Sequence, residues 1–305
     1  MPAFKAHALK LGNNWIGGIL QSQFTNAPAM MTDPTAGSPY PQITTISEIK
    51  TGFRFTSYNV AAALSALGFL GLPLAVGTTA ELYEIQYGDD GFIVSGANHR
   101  KVSFSSGRAF WRSISCQNRQ DAQIEIEVMA LSSDGTTNPA TFTESVAAPT
   151  AVDTARHTIA SVSLGGISMG CVTDLRIESG MQITSETCNS NVFDTRMALA
   201  SIVPKITVTT LNSSLVGSAA GKINITGVAA THANTSIKLR KRVAKTGTFV
   251  ADATAEHIAI TADGMVVPTQ PFSASNNQDG STVFELTATF DGTNTPYVIN
   301  AASAL

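Results

Sequence analysis

Apolar and polar residues alternate along most of this chain. Runs such as Ile124-Glu125-Ile126-Glu127-Val128, Lys205-Ile206-Thr207-Val208-Thr209 and Glu256-His257-Ile258-Ala259-Ile260 repeat every second residue, the period of a strand with one face in a core. Asp-Gly and Gly-Gly pairs punctuate them as hairpin turns do. Two segments break the pattern. After Ser57 and Asn59, either of which can cap a helix, Val60, Leu64 and Leu67 recur at helical spacing with Ala between them. Asn212 or Ser213 opens a shorter, weaker counterpart near Leu215. The stretch Asn26 to Gln42, rich in Pro, Met, Thr and Gly, has neither period and reads as a long loop, with a shorter counterpart at Ser185 to Asp194.

The pattern occurs twice. Asn118-Arg119-Gln120-Asp121 returns as Asn276-Asn277-Gln278-Asp279, 158 residues on, and each is followed by an alternating run. Each run reaches an Asp-Gly-Thr turn, at Asp134 and Asp291. Working backwards, His99 matches His257, Gly91 matches Gly247, Ile49 to Ser57 matches Pro204 to Leu211, and Gly17-Gly18-Ile19 matches Gly165-Gly166-Ile167. On this alignment the offset grows smoothly from 148 to 158, as small insertions would make it. A period of this size is a domain duplication; solenoid repeats run about 20–50 residues. The expected organisation is two tandem antiparallel β-sandwiches, residues 1–146 and 147–305, each of seven or eight strands with one packed helix. Ser145 to Thr154 is the expected linker.

Composition narrows the class. Charged residues make up 13% of the chain, about half the usual ~25%, and small polar residues fill the gap. Such a surface suits a protein mostly covered by neighbours. Net charge is −3, divided as −2 and −1 between the halves, so neither half is basic enough to be a nucleic-acid binder on global charge. Cys116, Cys171 and Cys188 form no metal spacing and point to a reducing compartment. No signal peptide is read at Met1 to Leu11, and Val60 to Val76 is too interrupted by Gly68, Gly71 and Pro73 to span a membrane. A soluble protein without membrane insertion is expected.

Little in the chain suggests catalysis. Gly166-Ile167-Ser168-Met169-Gly170 spells a nucleophile elbow, but strand-like residues follow where that motif needs a helix. A glycine hairpin explains it better. His7, His99, His157, His232 and His257 lack ligand spacing, and the Asp134 and Asp291 turns lack the further oxygen ligands of a calcium loop. No catalytic residue, metal or cofactor is expected.

Charge distinguishes the copies. Lys238, Arg240, Lys241, Arg242 and Lys245 place +5 in one strand region, where its counterpart carries Glu81, Glu84, Asp89 and Asp90, −4. Aligning Tyr83 with Leu239 and Tyr87 with Val243 keeps the buried face and turns exposed Glu84 into Arg240. Opposite charge on like folds sets register and partner choice, so these residues are candidates for subunit contacts.

In the second copy, Leu164-Gly165-Gly166-Ile167, Gly170-Cys171-Val172-Thr173-Asp174-Leu175-Arg176-Ile177-Glu178-Ser179-Gly180 and Pro204-Lys205-Ile206-Thr207-Val208-Thr209-Thr210 resemble the tail tube (major tail) proteins of long-tailed bacteriophages. Ile49 to Leu67 follows the same plan in the first copy. The resemblance implies a virion structural protein, made in the bacterial cytoplasm, that self-assembles into stacked rings around a channel for viral DNA. Two domains per chain would make that ring a homotrimer with pseudo-sixfold symmetry. It implies other tail proteins as partners, no catalytic residues, and inter-ring contacts from Met30, Met31 and Tyr40. The lumen should be neutral to acidic, because DNA must slide without being held through its phosphates. A two-domain capsid protein is the alternative. A carbohydrate-binding module is a third reading, which the scattered Trp15, Trp111 and five tyrosines do not favour.

Overall fold

The computed structural model describes residues 3–33, 40, 43–149, 152, 155–189, 191–243, 247–275 and 278–305. It is mainly β and antiparallel. The first half holds β1 (Ala3–Leu11), β2 (Asn14–Ile16), β3 (Ile19–Asp33), β4 (Ile43–Ser57), helix α1 (Val60–Leu67), β5 (Leu72–Leu74), β6 (Ala80–Tyr87), β7 (His99–Phe104), β8 (Gly107–Gln117), β9 (Gln123–Ala130) and β10 (Ala140–Val146). The second half holds β11 (Arg156–Leu164), β12 (Ile167–Ser168), β13 (Val172–Glu178), β14 (Met181–Glu186), β15 (Arg196–Ile202), β16 (Lys205–Thr210), β17 (Val228–Ala230) and β18 (Ser236–Arg242). It ends with β19 (His257–Ala262), β20 (Gly264–Ser275), β21 (Gln278–Ala288) and β22 (Tyr297–Ser303).

The strand orders of the halves coincide. One five-stranded sheet runs β10-β7-β6-β1-β2 and the other β22-β19-β18-β11-β12. Four further strands of each half repeat as β8-β9-β4-β3 and β20-β21-β16-β13, and β13 pairs with β8 to fuse them; with β5 on β8 and β17 on β20 they make one ten-stranded sheet, and β14-β15 stand apart. Local details recur as well. His7 bulges from β1 and Ala160 from β11 at the same point of the register. Buried His99 accepts the Gln86 amide at Nδ1 (3.1 Å), and buried His257 accepts that of Lys241 (3.0 Å). Ser57 Oγ accepts from Asn59 N and donates to Gly17 O. Thr210 Oγ1 likewise accepts from Asn212 N and donates to Gly170 O. Asp134 and Asp291 each accept two successive backbone amides two and three residues ahead.

The registers revise three details of the sequence alignment. Gly12, not Gly17, corresponds to Gly165, since Leu11 faces Asn14 as Leu164 faces Ile167. Gly17 corresponds to Gly170, and the offset therefore begins near 153. Among the described residues there is a single α-helix, not one per copy: the second copy has only a 3-10 turn, Ser213–Leu215. Two serines, then Gly217 and Gly221, leave no apolar helical stripe after Leu215. Finally, Asn26–Asp33 is not loop but the far half of β3, hydrogen-bonded along β4 to Ile43. Its proline, Pro28, is tolerated because β3 is an edge strand. Residues 34–39, 41 and 42 lie outside the described ones.

The inward face of the long sheet carries Phe53, Phe55, Trp111, Ile114, Ile124 and Ile126 from one copy, and Ile206, Val208, Phe284 and Leu286 from the other. These belong to one continuous core. Tyr297 of the second copy stacks on Trp111 (6.3 Å) and meets Phe69 edge-on (5.5 Å), and its hydroxyl donates to Glu178 O (3.1 Å). Burial of so large a ring contributes roughly 3 kcal/mol, so the copies are joined by packing as well as by the sheet. The expected boundary at 146/147 falls at the end of β10.

Candidate functional site: a charged sheet face with two open edges

Among the described residues, no ion pair joins the acidic segment to the basic one. Glu81 takes Lys101 Nζ (2.8 Å) and the Tyr83 hydroxyl (3.0 Å), and Glu84 takes Arg100, all on β6 and β7. Burial resists ionisation of Glu81, but Lys101 and Tyr83 outweigh it and hold the carboxyl below its usual range. Burial and the Glu81 charge push Tyr83 up to about 12. Asp89 and Asp90 stand in the exposed loop after β6, where Asp90 accepts the Phe92 amide. On β18, Arg240 pairs with Asp252 (3.0 Å) and Lys241 with Glu256 (2.8 Å). Lys238 is half-buried, and Lys245 lies outside the described residues.

The strand register also changes the side-chain comparison. Leu9 faces Leu82 as Val162 faces Ile237, so Tyr83 corresponds to Lys238, Glu84 to Leu239 and Tyr87 to Arg242. The expected exchange of Glu84 for Arg240 is therefore not an equivalence. Two basic residues do cross between copies, one of them from the basic segment. Arg242 lies 3.1 Å from Asp121 in the β8–β9 turn, and Arg156 lies 3.3 Å from the same carboxylate. Two guanidinium groups of the second copy thus clasp one acid of the first.

The densest charge array is elsewhere, on the outward face of the long sheet. Arg54 reaches Glu125 (3.4 Å) and Glu127 (3.2 Å), and Arg112 pairs with Glu127. Across the junction, Arg176 pairs with Glu178 (2.8 Å) and Lys205 with Glu285 (3.0 Å). Four cations and four anions alternate here among Ser113, Ser115, Thr207 and Thr209, which makes a neutral, polar face. It was visible in the sequence only as the polar half of each alternating run. Nothing in one strand says that its polar residues face those of five others.

Where the array lies, each strand between the two ends of the sheet is paired on both sides. At the internal junction, Asp174 faces Gln117, Leu175 faces Cys116, Arg176 faces Ser115, Ile177 faces Ile114 and Glu178 faces Ser113. Asn118 N donates to Thr173 O (2.9 Å) and Ser179 N to Arg112 O (3.0 Å), closing it above and below. Gly180 then turns with φ +64, and a Cβ there would stand 1.9 Å from Val203 O. The opposite termini of the sheet are the outer side of β3 and, beyond the β17 pairing at Val266, the outer side of β20. Neither has a strand partner among the described residues.

The remaining sequence candidates are placed as follows. Ser168 ends the two-residue strand that closes the Gly165-Gly166 hairpin, opposite Ser163. Amides of the turn satisfy Asp134 and Asp291. The Thr137 amide leads in holding Asp134 well below the usual carboxylate range, and Asn294 leads in holding Asp291 at about 2. Met30 and Met31 are exposed on the far half of β3, 65% and 56%, with Ile46 opposite Met30 on β4. Tyr40 is exposed at the hairpin end. No described helix is long and apolar enough to cross a membrane. No protein-family model and no curated protein matches the chain.

Proposed function

We propose that this chain is a ring-forming structural subunit of a phage tail tube. The carrying observation is the ten-stranded sheet: two like repeats joined edge to edge, with one complementary edge open at each end. A heterologous, head-to-tail contact between such edges closes into a ring or propagates as a filament. Closure removes both exposed edges, which otherwise invite uncontrolled pairing.

With four long strands per repeat, three chains would form a barrel larger than the ~16–18-stranded porins that already enclose water. The core and five-stranded sheets cover one face, so the neutral ion-paired face would line the channel. Its balanced charge would let DNA slide, since stable retention requires net phosphate neutralisation. Lys238, Arg240 and Arg242 belong to the other, five-stranded layer. The exposed β3–β4 arm, with Met30, Met31 and Ile46, is the part available to an adjacent ring. Negative-stain microscopy of the concentrated protein tests the reading. Rings or tubes with a central channel are expected, whereas closed shells or dispersed monomers contradict it.

A further inference from the structure

The internal junction is a template for an intermolecular one. We infer that β3 of one chain pairs antiparallel with β20 of a second copy in the register that β13 and β8 already use, bringing Gln23 opposite Ser273. The choice of a second copy as occupant rests on the ring reading above. The register rests on this chain's own repeats.

Equivalent positions follow from the strand ladders. Ser22 faces Phe55 as Leu175 faces Val208, and Phe24 faces Phe53 as Ile177 faces Ile206, so β3 holds the place of β13. Gly264 faces Ala288 as Gly107 faces Ala130, and each strand then bulges at the same point, at Thr269 and at Arg112. Gln270 faces Val283 as Ser113 faces Glu125. One further residue is inserted in β20 before Ser273, which faces Ser281 as Ser115 faces Gln123. Transferring the internal junction gives Thr25 opposite Gln270, Gln23 opposite Ser273 and Gln21 opposite Ser275.

The backbone can make this contact. In the internal junction Ser179 N donates to Arg112 O and Asn118 N to Thr173 O. Alternation therefore makes Ile114 and Ile177 a hydrogen-bonded pair, and Ser115 and Arg176 a non-hydrogen-bonded one. Pro271 would remove a donor from β20, but it falls in the inserted stretch, where bulges admit proline. The amide of Phe272 remains in the place of that of Ile114. Phe272 itself is 67% exposed in the free chain, and the contact would cover it. The outer junction differs in one respect. Arg156 and Arg242, which clasp Asp121 internally, correspond to Ala3 and Tyr87, so the intermolecular contact has no matching double ion pair.

Gln23 and Ser273 would form a non-hydrogen-bonded pair, with Cα atoms about 4.5 Å apart, inside the range a disulfide spans. The test introduces Gln23→Cys and Ser273→Cys together, with Cys171→Ser and Cys188→Ser, and oxidises the assembled protein with copper phenanthroline. Covalent dimers and closed trimers are expected on non-reducing gels, and none from either single variant. A slipped pair, Gln21→Cys with Ser273→Cys, should cross-link at least tenfold less. Rings that form while the slipped pair links instead, or while neither pair links, overturn the register and leave the ring reading standing. An unsubstituted protein that stays monomeric at all concentrations overturns both.

Discussion

The two repeats differ most where their long hairpins leave the core. In the first, β3 and β4 run on together from the core to Asp33 and Ile43. In the second, the same strand pair breaks at Ser179-Gly180 and Val203-Pro204, and β14 and β15 continue as a separate two-stranded sheet. Gly180 supplies the left-handed turn, and Ser179 Oγ is anchored on Trp111 O (2.7 Å). The bend carries the following loop back over the first repeat. Val192 and Phe193 donate to Gly135 O, Asn191 reaches Asp134 O, and Ile49 N donates to Val192 O. The first hairpin keeps its exposed Met30, Met31 and Ile46. One hairpin is committed within the chain, and its twin stays exposed, the part that the ring proposal assigns to a neighbouring chain.

The largest way to break that comparison is Gly180→Ala. The left-handed backbone and the overlap with Val203 O should cost roughly 2–4 kcal/mol, read as a lower urea midpoint. The equivalent position of the straight hairpin is Ala27, where Ala27→Gly should cost only about 0.5–1 kcal/mol. Equal effects at the two sites would mean that the bend is not a structural commitment.

How much of this was legible in the sequence depends on which force sets each feature. Alternation located most strands, because burial of one face is written in each strand by itself. The paired histidines and Asp-Gly turns located the repeat, because they serve the backbone at equivalent points. The helix of the second copy was over-read from Asn212 and Leu215, since a cap and one apolar residue do not make a stripe. The far half of β3 was missed because Pro28 and paired methionines mask an edge strand that needs only one partner. The charged face shows in the sequence only as the polar half of each run, and the open edges not at all, because both arise from which strands become neighbours.

A smaller effect is expected from Asp121→Asn, which removes the shared partner of Arg156 and Arg242. Both arginines are partly exposed, so the loss should be about 1 kcal/mol and should shrink in high salt. A salt-independent loss would point to packing instead. Smallest is a matter of access. Burial pushes the Cys116 thiol up to about 11, and Cys116 faces Leu175 at the internal junction. In the native monomer at pH 8, a thiol reagent should therefore modify exposed Cys171 quickly and leave Cys116 unmodified until unfolding. Rapid labelling of Cys116 would show that the internal junction opens.

The central claim is that the outer edges of the sheet are unpaired in the free chain and pair on assembly as the internal junction already does. Amide hydrogen exchange, compared between monomer and assembled protein, tests it most directly. Amides of residues 113–117 and 174–178 should be protected in both states, whereas alternate amides of residues 21–25 and 270–275 should become protected only on assembly. Assembly that leaves those two edges exchanging freely, while new protection appears along β10 or β2 instead, would contradict the account.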